Sequence, residues 1–272
     1  MGITRGCRKK ELLLLKQLRG LKRVALAFSG GVDSNFLMAM AKQAGLEKFI
    51  AITVSSQFFT SQEKRFAKRL ANSMGVVHIC LDFDILANDN VTQNTPQRCY
   101  LCKTMIFSLI RKTAIQQGVG NCIHAANIDD LGDYRPGLEA AKELGFAAPL
   151  VDAGFSKKEI RSSSQELGLE TWDLPSQSCL ATRVPYYDRI TREKLERVGK
   201  GEAFLRDQGF EGVRLRCHGN VARIEVDPDA ILILMDRNKR QAISKGLKSI
   251  GFDFVACDLD GYKTGNMNKF LK

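Results

Sequence analysis

Residues 24–43 read VALAFSGGVDSNFLMAMAKQ, and this stretch decides the fold. An apolar run ends at Ser29, two glycines and an acid follow, and a second apolar run begins after Ser34. The first run is continuous, which predicts a strand buried on both faces, and the second predicts a helix. A glycine-rich turn between a strand and a helix is typical of an anion-binding loop. The stretch therefore predicts an α/β fold with such a loop.

The same rhythm continues along the first part of the chain, where short apolar runs alternate with helical patterns. Strands are predicted at 24–29, 49–56, 76–83, 121–127 and 147–151, and helices at 8–19, 34–44, 61–74, 101–117 and 135–144. Ser156 and Glu159 have the spacing of a capping box, which opens a helix. Strands that alternate with helices predict a doubly wound parallel sheet.

The pattern changes after Trp172, where a loop with two prolines begins. A helix is predicted at 191–208, a β-hairpin around 218–220, further helices at 228–235 and 237–249, and a strand at 252–257. We therefore expect two domains. Residues 1–175 would form the nucleotide-binding domain, and residues 176–272 would form a smaller C-terminal α+β domain for substrate binding and oligomerisation.

Composition describes an ordinary globular protein of 272 residues with a net charge of +11. No apolar run approaches the ~20 residues of a membrane helix, and the basic start is followed by only four leucines rather than a signal peptide. We expect a cytoplasmic protein that does not bind membranes. A basic surface attracts phosphate-rich partners, although a solvated charged surface explains the charge equally well.

The glycine loop, residues 29–34, has the composition of a phosphate cradle. Gly30 and Gly31 let the backbone approach an anion, Val32 belongs to the same loop, and the helix that follows adds its N-terminal dipole. Ser29 and Ser34 can donate hydrogen bonds to phosphate oxygens, and Asp33 can hold Mg²⁺. Neither the Walker A pattern nor the Rossmann glycine pattern is present.

Three cysteines carry a second signal. Cys99 and Cys102 form a CxxC motif at the start of a helical run, and Cys179 lies in a loop with Arg183 nearby. The pair could be half of a zinc site, a redox pair, part of an iron–sulfur site, or two structural thiols. The other five cysteines are expected to be small core residues; they are Cys7, Cys80, Cys122, Cys217 and Cys257.

SGGVDS resembles the PP-loop of the ATP pyrophosphatase superfamily, whose members bind ATP and transfer AMP to a substrate. Six motifs extend the resemblance over nearly the whole chain: SGGVDS, RCYLCK, NIDDLGDYRPG, PSQSCLATRVPY, VRLRCHGNVARIEV and GYKTGNMN. Together they resemble the LarE family, the ATP-dependent sulfurtransferases of nickel-pincer cofactor synthesis.

This resemblance implies a small-molecule substrate, pyridinium-3,5-biscarboxylic acid mononucleotide, whose carboxylate is adenylated and converted to a thiocarboxylate. It also implies a homohexamer. Cys179 matches the sulfur-donor cysteine, which becomes dehydroalanine in one subtype. In the other subtype it joins a CxxC pair to hold a [4Fe-4S] cluster, and Cys99 with Cys102 resembles that pattern.

Further site residues follow from the remaining motifs. Arg214 and Arg216 alternate on one face of the hairpin, where their guanidinium groups suit a substrate phosphate. Further residues are assigned to substrate binding with them: Arg183, Arg223, Glu225 and Lys263. NIDDLGDYRPG resembles a second nucleotide loop, in which Asp129, Asp130 and Asp133 would share Mg²⁺ and Arg135 would meet a phosphate. It also reads as an ordinary helix start with acids in the first turn.

The alternatives belong to other classes of protein. A PP-loop tRNA thiolase also uses three cysteines and a cluster, and the basic charge favours it, so tRNA stays open as a partner. An amide-forming PP-loop ligase would not need the three cysteines. A non-catalytic nucleotide-binding module would produce no AMP.

Overall fold

The computed structural model describes residues 5–132, 136–175 and 178–263. Single turns of 3-10 helix lie at Ile85–Ala87, Ile128–Gly132, Leu180–Arg183 and Pro228–Ala230. The helices and strands of these ranges are, in chain order, α1 (Arg5–Leu21), β1 (Arg23–Ala27), α2 (Val32–Gln43), β2 (Lys48–Ser55), α3 (Ser61–Ser73), β3 (Val77–Asp82), α4 (Asp89–Thr92), α5 (Arg98–Gln116), β4 (Asn121–Ile123), α6 (Pro136–Glu143), α7 (Pro149–Asp152), α8 (Lys157–Glu166), α9 (Arg192–Asp207), β5 (Arg214–His218), β6 (Val221–Glu225), α10 (Ile231–Met235), α11 (Arg237–Ser249) and β7 (Phe254–Cys257).

The chain divides into two compact units, each built from more than one segment. The first unit contains Met1–Ser56, Ser61–Phe83 and Cys99–Gln177. The second unit is built from Gln57–Thr60, Asp84–Arg98 and Ser178–Lys272, so two short early segments pack with the C-terminal part. The linear division at residue 175 stays a prediction.

The first unit contains a parallel sheet with the strand order β3-β2-β1-β4. The chain moves outward from β1 to β3 and then crosses to the other side of β1 to form β4. Such a reversal of direction leaves a crevice at the carboxyl ends of β1 and β4, the two strands between which it occurs, and this is where open α/β sheets bind ligands. The loops that follow β1 and β4 therefore occupy the expected binding position.

Apolar residues on both faces explain why β1 is the centre of this sheet. Val24, Ala25 and Leu26 are fully buried, as expected for a strand covered by helices on both sides. Phe36 of α2 packs edge-on against Phe155, with 5.3 Å between ring centroids. The predicted parallel α/β fold is therefore confirmed, as is the capping box in which Ser156 and Glu159 open α8.

The strand predicted at 147–151 is wrong. Ala147 makes only an isolated parallel bridge with Ile123, and the chain then turns into α7 with Pro149 at its start. Proline has no N–H to donate to a sheet ladder, and its fixed backbone angle suits the first turn of a helix. The apolar run AAPLV therefore buries its side chains without extending the sheet.

The second unit contains a small mixed sheet with the order β5-β6-β7. The predicted hairpin is confirmed, because β5 and β6 pair antiparallel across the turn at Gly219, while β7 pairs parallel with β6. This register places Arg214 opposite Glu225 and Arg216 opposite Arg223. In the described ranges, none of the helices has the length and apolar character needed to cross a membrane.

Candidate active site

The glycine loop after β1 is folded by its own hydroxyl groups. Ser29 Oγ lies 3.1 Å from Ser34 Oγ and accepts a hydrogen bond from the Gly31 amide at 3.4 Å. Ser34 Oγ also donates to the Gly31 carbonyl at 3.1 Å. Gly31 is the N-cap of α2, and no side chain of the described residues caps the first turn, which begins with Val32. Uncapped N–H groups at a helix start are suited to bind an anion.

The two glycines of the loop are needed for different structural reasons. Gly30 has a φ of +78°, which side chains rarely allow, and a Cβ there would lie 3.1 Å from Ala67 Cβ of α3. Gly31 has an ordinary φ of −77°, and among the residues that the structure describes a Cβ there would meet only Ser29 Oγ, at 3.5 Å. Gly30 is therefore required by the fold, whereas Gly31 leaves its backbone open to a ligand.

Asp33, in the first turn of α2, forms an ion pair with Lys157 at the start of α8. Its Oδ2 accepts from Lys157 Nζ, and its Oδ1 is buried without a hydrogen-bond partner among the described residues. Burial raises the pKa of the Asp33 carboxyl, against the opposing effect of the Lys157 ammonium. A buried carboxylate oxygen without a partner is costly unless a ligand satisfies it. The donor type fits Mg²⁺, which binds one or two carboxylates together with phosphate oxygens.

The loop after β4 meets the same lysine. Asp129 Oδ2 accepts from the backbone amide of Lys157 at 2.6 Å, and the Asp129 amide donates to Asn127 Oδ1 at 2.9 Å. Asp130 Oδ2 accepts from the Asn127 amide at 3.1 Å. The carboxylates of Asp129 and Asp130 thus hold backbone groups. The loops after β1 and β4 are therefore joined through one residue, Lys157.

Lys157 is a functional candidate that the sequence analysis missed. The Ser156–Glu159 capping box predicts that residue 157 opens a helix, but it gives no sign that the helix points at the glycine loop. The reversed strand order brings the two segments together. Asp133 and Arg135, assigned to Mg²⁺ and a phosphate from the sequence, lie outside the described residues.

Cys99 and Cys102 lie near the N-terminus of α5, three residues apart, so their side chains share one face of the helix. Cys99 is half-buried and Cys102 is buried, and both belong to the first unit. Cys179 is half-buried, belongs to the second unit and directly precedes the turn at Leu180–Arg183. Within residues 5–132, 136–175 and 178–263, no three His, Cys, Asp or Glu side chains are arranged to hold a metal ion. The [4Fe-4S] site on the three cysteines stays a prediction.

The other five cysteines separate into two groups. Cys7, Cys122 and Cys217 are buried, as expected for small core residues, whereas Cys80 and Cys257 are only half-buried. The expectation of burial is therefore wrong for the last two, because β3 and β7 are edge strands whose side chains are partly open to solvent. Burial raises the pKa of all five thiols, which keeps them in the less reactive protonated form.

Arg183 organises the backbone around Cys179. Its guanidinium is 3% exposed and pairs with Glu202, with Nε 2.7 Å from Oε1 and Nη2 3.2 Å from Oε2. Its Nη1 donates to the carbonyl oxygens of Ser178 at 2.9 Å and Cys179 at 3.2 Å. Arg183 therefore fixes the cysteine loop through its backbone while Glu202 balances its charge.

The hairpin arginines are buried rather than exposed on a solvated strand face. Arg214 and Arg216 are each 6% exposed, and Arg216 donates to Glu225 Oε2 from Nε at 2.9 Å and from Nη2 at 2.6 Å. Arg223 donates to Glu225 Oε1 at 2.8 Å. Burial lowers the pKa of Arg214, and the positive charge of Arg183 lowers it further. Arg223 is only half-buried and also donates to Asp258 Oδ2 at 2.9 Å. Three arginines and two carboxylates therefore leave this hairpin cluster with one net positive charge.

Lys263, the last predicted substrate residue, is half-exposed. Its Nζ lies 3.3 Å from Asp260 Oδ2, and the residues that follow it in GYKTGNMN lie outside the described ranges. An exposed pair of this kind contributes little to stability, and its assignment to the substrate stays a prediction.

Comparison with known proteins agrees with this arrangement. The asparagine synthase family matches residues 14–108. An uncharacterized protein of Synechocystis is 39% identical over 97% of this chain and 98% of its own length. The pyridinium-3,5-bisthiocarboxylic acid mononucleotide synthase of Lactiplantibacillus plantarum is 36% identical over 96% of this chain and 95% of its own length.

A solved structure shows the same fold. NMN synthetase from Francisella tularensis superposes with a TM-score of 0.53 at 16% identity, over 65% of this chain and 76% of its own. That likeness concerns the fold alone, whereas the sequence identity to the mononucleotide synthase extends over almost the full length of both chains. This chain therefore belongs to the LarE family of PP-loop, ATP-using enzymes.

Proposed function

We propose that this chain is an ATP-dependent sulfurtransferase that acts on a carboxylate of pyridinium-3,5-biscarboxylic acid mononucleotide. The observation that carries the proposal is the Asp33–Lys157 pair beside the glycine loop, with a buried carboxylate oxygen that has no hydrogen-bond partner in the described part of the chain. Family membership supplies the substrate, because the Lactiplantibacillus plantarum relative is named for the corresponding bisthiocarboxylic acid mononucleotide.

Activation would take place in the first unit. A substrate carboxylate oxygen attacks the α-phosphorus of ATP, the bond to the β-phosphate oxygen breaks, and pyrophosphate leaves. Asp33 would hold Mg²⁺, which neutralises charge on the phosphates, and the loop amides near Gly31 would bind the pyrophosphate. Lys157 would then exchange Asp33 for a phosphate oxygen. The product is an acyl-adenylate, in which AMP is a good leaving group.

Sulfur transfer would follow on the activated carboxyl group. A sulfur nucleophile attacks the acyl carbon, the carbon–oxygen bond to AMP breaks, and a thiocarboxylate results after the sulfur is released from its carrier. The carrier is proposed to involve Cys179, on the loop that Arg183 holds. Loss of its own sulfur would leave dehydroalanine. A [4Fe-4S] cluster on Cys99, Cys102 and Cys179 would instead supply sulfide without consuming the cysteine.

Substrate recognition would use the buried arginine cluster of the second unit. Arg183, Arg214 and Arg216 are buried there and Arg223 is half-buried, with the carboxylates of Glu202, Glu225 and Asp258 as their partners. The pKa of Arg214 is lowered by burial and by Arg183, so an anion in this region would relieve both effects. The phosphate of a mononucleotide is such an anion, and guanidinium groups bind it in a fork geometry. A homohexamer stays a prediction from the resemblance.

One experiment separates this function from the alternatives. Protein purified without oxygen is incubated with ATP and Mg²⁺ and with either the mononucleotide, bulk tRNA or no acceptor, and AMP is measured. We expect AMP only with the mononucleotide. AMP formation with tRNA alone would support a tRNA thiolase instead, and no AMP with any acceptor would support a nucleotide-binding module.

A second measurement identifies the sulfur carrier. Iron and sulfide contents are determined on the anaerobic protein, and its intact mass is recorded before and after turnover. Iron bound in the wild type and lost in Cys99→Ala and in Cys102→Ala would support the cluster. Loss of one H₂S from the protein mass, with the change located at Cys179, would contradict the cluster and support the consumed cysteine.

A further inference from the structure

Arg98 directly precedes Cys99 and is a buried cation that the proposed mechanism does not use. Its side chain is 1% exposed. The guanidinium donates to Asn94 Oδ1 and, at 3.2 Å, to the carbonyl oxygen of Ala181, two residues after Cys179. It also lies over the Tyr186 ring, 5.5 Å from the centroid. Arg98 and the segment that begins at Ser178 belong to the same unit, so these contacts lie within one compact body.

Asn94, which accepts a hydrogen bond from Arg98, holds the loop that follows Arg183. It is fully buried with a φ of +57°, a conformation that asparagine tolerates better than most residues. Its Nδ2 donates to three carbonyl oxygens of one loop, at 3.2 Å for Val184, 2.6 Å for Pro185 and 3.0 Å for Asp188. We name the two side chains, Asn94 and Arg98, the 94/98 clamp.

The backbone immediately after Cys179 is fixed as well. The Leu180 amide donates to the Phe58 carbonyl at 2.9 Å, and the Cys179 carbonyl accepts from the Thr182 amide at 3.0 Å. The clamp holds the backbone that follows, with Arg98 bound to Ala181 and Asn94 bound to the loop that begins at Val184. A buried polar network that is satisfied in one arrangement specifies that arrangement more strictly than apolar packing does. The segment that carries the Cys179 thiol is therefore held in one conformation by directed hydrogen bonds.

We propose that Arg98 is a positioning residue for sulfur transfer, which acts by holding the backbone of Ala181 and thereby the direction of the Cys179 thiol. This rests on the proposed function, in which the sulfur that attacks the acyl-adenylate is carried at Cys179. A reacting group displaced by about 1 Å can cost roughly 10²-fold in rate. Adenylation uses Asp33 and Lys157 of the first unit and does not need the clamp. Loss of the clamp therefore separates the two half-reactions.

The test compares Arg98→Met with a matched control, Arg197→Met. Arg197 also lies in the second unit, donates to a backbone carbonyl, that of Gly251 at 2.9 Å, and lies over an aromatic ring, that of Phe252 at 5.1 Å. AMP and thiocarboxylate are measured in the same anaerobic reaction. We expect Arg98→Met to keep AMP formation and to lose thiocarboxylate formation by roughly 10²-fold, and Arg197→Met to keep both.

A second readout needs no turnover. The rate at which iodoacetamide labels the Cys179 thiol is followed by peptide mass spectrometry in metal-free protein. We expect a several-fold change in Arg98→Met and none in Arg197→Met. Wild-type thiocarboxylate formation in Arg98→Met, or a labelling rate equal to that of the wild type, overturns the proposal.

Two further outcomes are separable. If the wild type makes no AMP with the mononucleotide, the proposed function fails, and the labelling rate alone then decides whether Arg98 positions Cys179. If Arg98→Met does not fold, the same criteria apply to Arg98→Lys, which keeps the charge but cannot donate in the two directions of a guanidinium fork. An Arg98→Lys protein with normal transfer and normal labelling overturns the proposal.

Discussion

The two glycines of the PP-loop are expected to fail in different ways when each is replaced by alanine. Gly30→Ala places a Cβ at φ +78° and 3.1 Å from Ala67 Cβ. A non-glycine residue in this conformation costs about 1–3 kcal/mol, and the close contact adds to that cost. Gly31→Ala keeps φ at −77° with its nearest neighbour at 3.5 Å. The loss of an N-cap glycine then costs only about 0.5–1 kcal/mol.

The free energy of unfolding in urea and the rate of AMP formation with the mononucleotide are measured for both variants. We expect Gly30→Ala to be the less stable protein, and Gly31→Ala to be folded but deficient in AMP formation, because the new methyl group occupies the space through which phosphates approach the loop. Gly45→Ala is the control for the backbone cost, since Gly45 has φ +68° and no atom of residues 5–132, 136–175 and 178–263 lies within 4 Å of the added Cβ. Normal AMP formation by Gly31→Ala would refute the phosphate-cradle assignment.

Three further predictions concern the charged groups. Lys157→Met removes the cation that lowers the pKa of Asp33 against the effect of burial, so this pKa should rise further. The rate of AMP formation falls at low pH as the carboxylate becomes protonated, and this fall should begin at a higher pH in the variant. A pH–rate profile equal to that of the wild type would contradict a functional Asp33–Lys157 pair. Arg216→Ala should weaken mononucleotide binding by about 1.5–3 kcal/mol per charged hydrogen bond lost while ATP binding, measured by calorimetry, stays unchanged; equal losses for both ligands would remove the assignment. Cys179→Ala should still form AMP but no thiocarboxylate, and thiocarboxylate production by this variant would exclude Cys179 as the carrier.

The elements that sequence predicted best are those whose signal is local. The strand–glycine–helix pattern at residues 24–43 and the hairpin around Gly219 could be predicted because apolar runs, alternation and turn residues are visible in neighbouring positions. The strand predicted from AAPLV at 147–151 is wrong because a short apolar run does not distinguish a strand from a buried helical turn. Pro149 was the signal that favoured the helix.

The parts that sequence did not predict depend on contacts between distant residues. Lys157 meets Asp33 only because the strand order reverses at β1, and no local pattern encodes that order. Arg98 reads in the sequence as a neighbour of the CxxC motif, whereas its guanidinium reaches Ala181, far along the chain. Burial of Arg216 against Glu225 was likewise hidden, since alternation fits a solvated face and a buried ion pair equally well.

The central claim, sulfur transfer to an activated carboxylate, is tested most directly by the mass of the product. Wild-type protein prepared without oxygen is incubated with ATP, Mg²⁺ and the biscarboxylic acid mononucleotide, and the nucleotides are identified by mass spectrometry. The account predicts a mononucleotide in which one oxygen is replaced by sulfur, formed together with an equal amount of AMP. A mononucleotide that is recovered unchanged while AMP accumulates, or that gains nitrogen in place of sulfur when ammonia is present, would contradict it.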